Sequence, residues 1–320
     1  MEKSKKAHLL LLLTALLWGL TFVAQSAGME HIGPFAFNAL RYTIGVLVLL
    51  PLLIMRKPQL DRKFFKAALI IGLLLFASSS LQQYALQTAS AGKAGFITSL
   101  YIVFVPIISQ IFGKKVGFRH WIAVAIAVAG LFLMTFADTG SFSTSDLLLL
   151  LGALGYSFHI IAIAKYAKDV DPIALSAAQF LISAVLSFVP ALLFESLAPP
   201  LISAALPTIL YAGIFSCGVA FTLQIIAQRD SQPTVASMIM SLEAVFAAIG
   251  GTVILGQLLS PREIQGSIYM LSSAFYVQYL ENRERAKQDK LAKSTDPCDS
   301  DEQSEEDDDD DFTAEGELEL

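Results

Sequence analysis

The chain is poor in charge and nearly devoid of cysteine. Only 16 % of its 320 residues are Asp, Glu, Lys or Arg, whereas an ordinary soluble domain carries about 25 %. With 55 % of the residues apolar, too little charge is left to coat a water-soluble globule of this length. The same shortage excludes a disordered chain and a nucleic-acid-binding surface as the main reading. The two cysteines, Cys217 in an apolar run and Cys298 in an acidic tail, exclude a disulfide framework and supply no metal spacing. No GxxxxGK[ST] phosphate loop is present, so ATP-driven pumping by this chain alone is excluded. Neither GxSxG nor HExxH occurs, and three of the four histidines (His8, His31, His120, His159) sit near the ends of apolar runs. Neither a metal nor a cofactor is expected.

What the chain does have is long apolar runs. A membrane-crossing helix needs about 20 apolar residues to span a hydrocarbon core about 30 Å thick. Ten runs qualify, at residues 8–27, 34–55, 67–86, 91–112, 120–137, 147–166, 172–194, 203–227, 233–255 and 264–280. The first is read as a span and not as a cleaved signal, because it exceeds the roughly 7–15 apolar residues of a signal core. The sequence therefore predicts an all-α membrane protein of ten transmembrane helices in the lipid bilayer.

The basic residues test that count through the positive-inside rule. With the N-terminus in the cytoplasm, 19 of the 22 Lys and Arg fall on inward connections and termini, Lys93 and Arg262 fall outside, and Arg41 lies inside a span. Both termini are thus expected in the cytoplasm. The net charge of −6 conceals a division: residues 1–280 hold 17 basic and 11 acidic residues, a net +6, and residues 281–320 hold 5 and 17, a net −12. That tail, with DDDDD at 307–311, lacks the apolar area to fold and is expected to be a disordered cytoplasmic extension from about residue 282. Its basic start, from Arg283 to Lys293, suits an anionic inner leaflet.

The two halves repeat at an offset of 138 to 142 residues. LLLLLTALLW at 9–18 matches LLLLLGALGY at 147–156, and PFAFNALRY at 34–42 matches PIALSAAQF at 172–180. Leu81-Gln82 matches Leu223-Gln224, and SLYIVF at 99–104 matches SLEAVF at 241–246. Five spans per half is an odd number, so the second copy enters the membrane from the opposite side. Residues 1–143 and 144–281 are accordingly two inverted five-helix repeats, the construction of many secondary transporters.

Three segments also resemble a known family. LLWGLTF at 16–22, TASAGKAGFITSLYIVFVP at 88–106 and SLEAVFAAIGGTVILGQLLSPREIQG at 241–266 are similar to the EamA-like transporters of the drug/metabolite transporter (DMT) superfamily. Ala244 stands where that pattern has proline, and Gln257 where it has Glu. The resemblance implies a bacterial inner-membrane protein with a central cavity lined mainly by the first, third, fourth, sixth, eighth and ninth helices, the fifth and tenth being peripheral. The expected function is a secondary transporter that exports a small polar or amphipathic metabolite, such as an amino acid, by alternating access, with proton coupling or substrate exchange as the motive force. A homodimer is left open. The alternatives are a non-transporting membrane scaffold or partner subunit, and behind it an intramembrane enzyme.

Polar residues inside apolar runs are the candidate site. A bare carboxylate at the bilayer centre costs about 2.5–3.5 kcal/mol even on insertion scales, so Glu243 must face protein or water, find a cation or hold a proton; it is the proton-coupling candidate. Its repeat mate is Tyr101. Trp18, Phe22 and Gln25 share one face of the first helix. Tyr156, the mate of Trp18, and His159 lie three residues apart on the sixth, and a histidine there serves either titration or a plain hydrogen bond. Gln82 and its mate Gln224 supply neutral hydrogen bonding, with Gln83, Tyr84, Asn38 and Ser99 nearby in sequence, although any one of these is as readily interhelical glue. Arg41, seven residues into its span, either grips an anion or braces carbonyls of a neighbouring helix end, the bracing role being favoured. Lys93, at the outer mouth, is read as a solvated turn lysine or an anion attractor. Ala123, Ala127 and Gly130, and Ala247, Ala248, Gly250 and Gly251, form small-residue faces for close packing.

Overall fold

A computed structural model describes residues 2–89, 91–135, 143–255 and 260–294. Contacts divide the chain after Gln278 into a large unit, Glu2–Gln278, and a small one from Tyr279 onward. Every element among the described residues is helical. In chain order they are α1 (Glu2–Gly28), α2 (Pro34–Arg56), α3 (Arg62–Ala85), α4 (Ala91–Ser99), α5 (Tyr101–Ile111), α6 (Phe118–Thr135), α7 (Thr144–Tyr166), α8 (Pro172–Phe194), α9 (Pro199–Tyr211), a π-helical segment (Ala212–Phe221), α10 (Thr222–Gln228), α11 (Pro233–Met240), α12 (Glu243–Leu255) and α13 (Pro261–Ser294).

Wherever they are described, the ten apolar runs lie on these helices. Eight stretches are long and apolar enough to cross a membrane, counting α4 with α5, α9 through α10, and α11 with α12 as single spans. α6 supplies a shorter apolar helix, Phe118–Leu133, and the last run lies in α13. Helix starts follow local chemistry. Pro34, Pro172, Pro199 and Pro233 stand in the first turn, where the missing N–H costs nothing and φ is already helical. Asp61 caps α3 by accepting from the Phe64 N–H at 2.8 Å, and Ser143 with Asp146 forms a capping box at α7. Exposed apolar stripes at four-residue spacing, such as Leu181, Val185 and Val189 on α8, present a hydrocarbon-compatible outer face.

Two spans are interrupted. The helix breaks at Leu100 and again at Leu242, positions 142 apart. Around the second break the ladder tightens to three-residue bonds, Leu242 N to Ile239 O and Ala244 N to Ser241 O, both 3.2 Å. The Ser237 and Ser241 hydroxyls donate to carbonyls three residues back, each at 2.8 Å, and so compete for the acceptors that the helix would use. The helix of the ninth span is therefore interrupted without a proline at 244. Tyr101 and Glu243 each open the half-helix after a break.

Packing repeats across the halves. α2 packs on α8, its own repeat mate. α3 packs on α7, and the equivalent pairing joins α1 to the span from α9 to α10. α1 packs on α12, and the equivalent pairing joins α7 to α4 and α5. Two pairs of equivalent residues meet directly: Tyr42 stacks on Phe180 with ring centroids 5.9 Å apart, and the Tyr101 hydroxyl donates to Glu243 Oε1 at 3.0 Å. Close approach is set by small residues. A Cβ on Gly19 would lie 2.7 Å from the Glu243 carbonyl oxygen and 2.8 Å from Ala247 N. One on Gly130 would lie 2.6 Å from Gly266 O, which brings α6 against the part of α13 within the large unit.

One boundary differs from the sequence expectation. Helix α13 continues to Ser294, past residue 282, where a disordered tail is expected to begin. Glu, Arg, Ala, Gln and Lys of that stretch are strong helix formers, and they extend the preceding helix instead of ending it. The rest of the tail, the aspartate run, Cys298 and Gln257 lie outside the described residues.

Candidate functional site

Between the two halves of the large unit lies a cavity with about 470 Å³ of non-atom space, counting the part that is open to solvent. Its walls come from α1, α2, α3, α4, α5, α7, the π segment, α10 and α12. The eight residues that sequence reasoning marks for substrate contact, Trp18, Gln25, Gln82, Tyr101, Tyr156, His159, Gln224 and Glu243, all line it. They come from six spans: α1, α3, the α4–α5 span, α7, the span from α9 to α10, and the α11–α12 span. The helices named by the resemblance form most of the wall; α2 adds Arg41.

Glu243 is 2 % exposed. Its Oε1 accepts from Tyr101 Oη at 3.0 Å and more loosely from Ser99 Oγ at 3.4 Å. It opens α12, where unpaired backbone N–H groups and the helix dipole favour negative charge. No basic side chain pairs with it among the described residues. One wall of the cavity thus holds a carboxylate supported by hydroxyls and a helix end, with no cation.

The amide side chains are ordered by one another. Tyr156 Oη donates to Gln82 Oε1 at 3.2 Å, and Gln82 Nε2 donates to Thr98 Oγ1 at 3.0 Å. Gln25 Nε2 donates to Gln83 Oε1 at 2.7 Å. His159 Nε2 shares a 2.9 Å hydrogen bond with Gln179 Oε1, so its ring is held by a neutral partner. Trp18 meets Phe221 edge-on at 4.7 Å, and Phe221 lies 5.9 Å from Phe180, giving an aromatic wall built from both halves. Among the described residues, Trp18 Nε1, Arg41 Nε, His159 Nδ1 and Gln224 Oε1 are buried polar atoms on the lining with no protein partner.

Two of the marked residues behave differently from expectation. Arg41 neither braces a carbonyl nor reaches the interface. It is 2 % exposed, its one hydrogen bond runs from Nη2 to Tyr42 Oη at 3.1 Å, and its guanidinium lies 4.8 Å from the Tyr42 ring centroid. Its side chain thus lies beside an aromatic ring on the cavity wall. Lys93 is not a solvated turn lysine: it pairs with Asp146 at 2.8 Å and ties α4 to the N-terminus of α7. Tyr84 is exposed, one residue past the buried Gln83, because consecutive helix positions differ by about 100°. Asn38 donates to Ser79 O at 3.2 Å and serves as glue.

Thr21, Thr98, Ile160, Ser216 and Phe221 also line the cavity, and sequence reasoning missed them. Thr21 carried a usable signal, since it stands 138 residues before His159. Ser216 and Phe221 lie in the π segment, whose wider turns rotate them inward; nothing in the apolar run AGIFSCGVAF announces this.

A family model described as the EamA-like transporter family matches residues 5–136 and again 143–279. An uncharacterized transporter of Archaeoglobus fulgidus is 30 % identical over 272 residues, 85 % of this chain and 85 % of that protein. The uncharacterized inner membrane transporter YedA of Escherichia coli is 25 % identical over 78 % of this chain and 82 % of its own length. A crystal structure of another protein shares the fold with a TM-score of 0.73 at 20 % identity, covering 87 % of this chain and 98 % of that one. The chain is a multi-pass membrane protein and belongs to the EamA-like transporter family.

Proposed function

We propose that the chain is a secondary transporter that carries small polar or amphipathic metabolites outward by alternating access, with Glu243 coupling the cycle to protons. The observation that carries the reading is the direct bond between Tyr101 and Glu243, equivalent residues of the two halves, on the wall of a cavity built from both. Equivalent residues touch only where a pseudo-two-fold axis passes between them. This reading takes residues 1–143 and 144–281 as one unit in two opposed orientations, and the basic residues on the inward connections support both termini facing the cytoplasm. Each half can adopt the conformation of the other, which converts a cavity open to one side into one open to the opposite side. YedA is described as an inner membrane transporter, and the same location is proposed for this chain.

The lining suits such cargo. Aromatic rings offer apolar contact, and amides, hydroxyls, an imidazole, a guanidinium and a carboxylate offer orientation. Glu243 takes up and releases a proton as the cavity changes sides, because its supports are hydroxyls and a helix end in place of a fixed cation.

Solute flux into and out of proteoliposomes containing only this chain tests the reading. Flux driven by a pH gradient in the wild type, with the coupling lost in Glu243→Gln, is the expected result. Wild-type rate and unchanged pH dependence in Glu243→Gln would show that this carboxylate has no such role.

A further inference from the structure

We infer that the transported solute carries one carboxylate and that Arg41 holds it; this rests on the transport function proposed above. Arg41 is buried in the wall of the cavity. Among the described residues one of its five N–H donors is used, to a tyrosine hydroxyl, and Nε has no partner. Among the described residues no carboxylate pairs with it. A buried guanidinium without a counter-ion is costly, and its remaining N–H groups form the planar fork that matches two carboxylate oxygens. A second donor on the same lining, Trp18 Nε1, is also without a partner. Both idle donors require an acceptor from the solute.

The charge of the solute follows from the rest of the wall. Arg41 is the one lining group that is always cationic, and Glu243 is the one acid. A phosphate monoester, with close to two negative charges, would meet one cation and an opposing carboxylate. A monoanion balances Arg41 alone. Gln224 Oε1 and His159 Nδ1 are likewise without a partner among the described residues; with Nε2 bonded to the Gln179 oxygen, both are acceptors that face donors on the solute, so a carboxylate that also bears N–H or O–H groups satisfies all four idle atoms.

The test loads proteoliposomes of the full chain with an equimolar panel of amino acids, short monocarboxylates, their amides, the matching amines and phosphate monoesters. Efflux is followed by mass spectrometry for wild type, Arg41→Gln and Arg41→Lys. The expected result is release of carboxylates but not their amides, slowed about 10- to 100-fold in Arg41→Gln, the factor for losing a hydrogen bond to a charged group. Arg41→Lys falls between, because an ammonium keeps the charge and loses the fork. Amides released as fast as acids, preferred release of phosphate monoesters or of amines, or Arg41→Gln slowing every class equally would each overturn the inference while leaving transport standing. Release of no panel member by the wild type would overturn the transport reading itself and this inference with it. The acid-against-amide comparison needs no variant, so it decides the point even if Arg41→Gln fails to fold.

Discussion

Substituting Gly19 by alanine should destabilise the fold, although alanine is the better helix former. Gly19 is where α1 meets α12, and an added Cβ would come within 2.6 Å of Phe246 Cβ, 2.7 Å of the Glu243 carbonyl oxygen and 2.8 Å of Ala247 N. Two of those three atoms are backbone, so no rotamer change relieves the contact and the helices must separate. Overpacking of this kind costs about 1–3 kcal/mol, against an intrinsic gain of about 1 kcal/mol for Gly→Ala inside a helix. Gly95→Ala on α4 is the control. There the new Cβ finds Phe22 at 3.5 Å, an ordinary contact, and only the intrinsic gain applies. The two substitutions should therefore differ by about 1–3 kcal/mol and in sign. The assay is unfolding in mixed micelles by SDS titration, followed by tryptophan fluorescence with Trp18 beside the substituted position. A Gly19→Ala protein as stable as Gly95→Ala would refute the close approach of α1 and α12, and with it the position given to the Glu243 wall.

Five further substitutions follow from the geometry. Tyr101→Phe should impair the pH-driven flux more than Ser99→Ala, because the lost donor stands at 3.0 Å instead of 3.4 Å from Glu243; equal effects in the flux assay would contradict this. Asp146→Ala should lower stability by about 1–3 kcal/mol, since it removes both the capping box of α7 and the partner of Lys93. Lys93→Ala should cost under about 1 kcal/mol because the lysine is one-third exposed; SDS titration of both orders them. Gly130→Val should prevent α6 from packing on α13 and lower the yield of folded protein in detergent, measured by size-exclusion chromatography, because its Cβ would meet Gly266 O at 2.6 Å.

Much of the site was legible because the chain is duplicated. Run length located the helices, and the offsets 138 and 142 paired Trp18 with Tyr156, Gln82 with Gln224 and Tyr101 with Glu243. A polar or aromatic residue that recurs at an offset in an apolar run marks equivalent depths in two walls, and the structure brings these pairs to one cavity. Features produced by tertiary contact were not legible. The breaks at Leu100 and Leu242 have no proline or glycine at the break to announce them; serine hydroxyls that take up carbonyls mark the second. The Lys93–Asp146 pair joins residues 53 apart across the boundary of the halves. The inward side chain of Arg41 depends on how α2 is rotated, which a span apolar around most of its circumference does not encode.

Labelling of a single cysteine in the cavity wall tests the central claim most directly. Thr98→Cys, made in a chain with Cys217→Ser and Cys298→Ser, is exposed in turn to a membrane-impermeant thiol reagent from the cytoplasmic side and from the opposite side of oriented vesicles. A cavity that opens alternately to each face predicts reaction from both sides. Reaction from one side alone, or from neither, would contradict it.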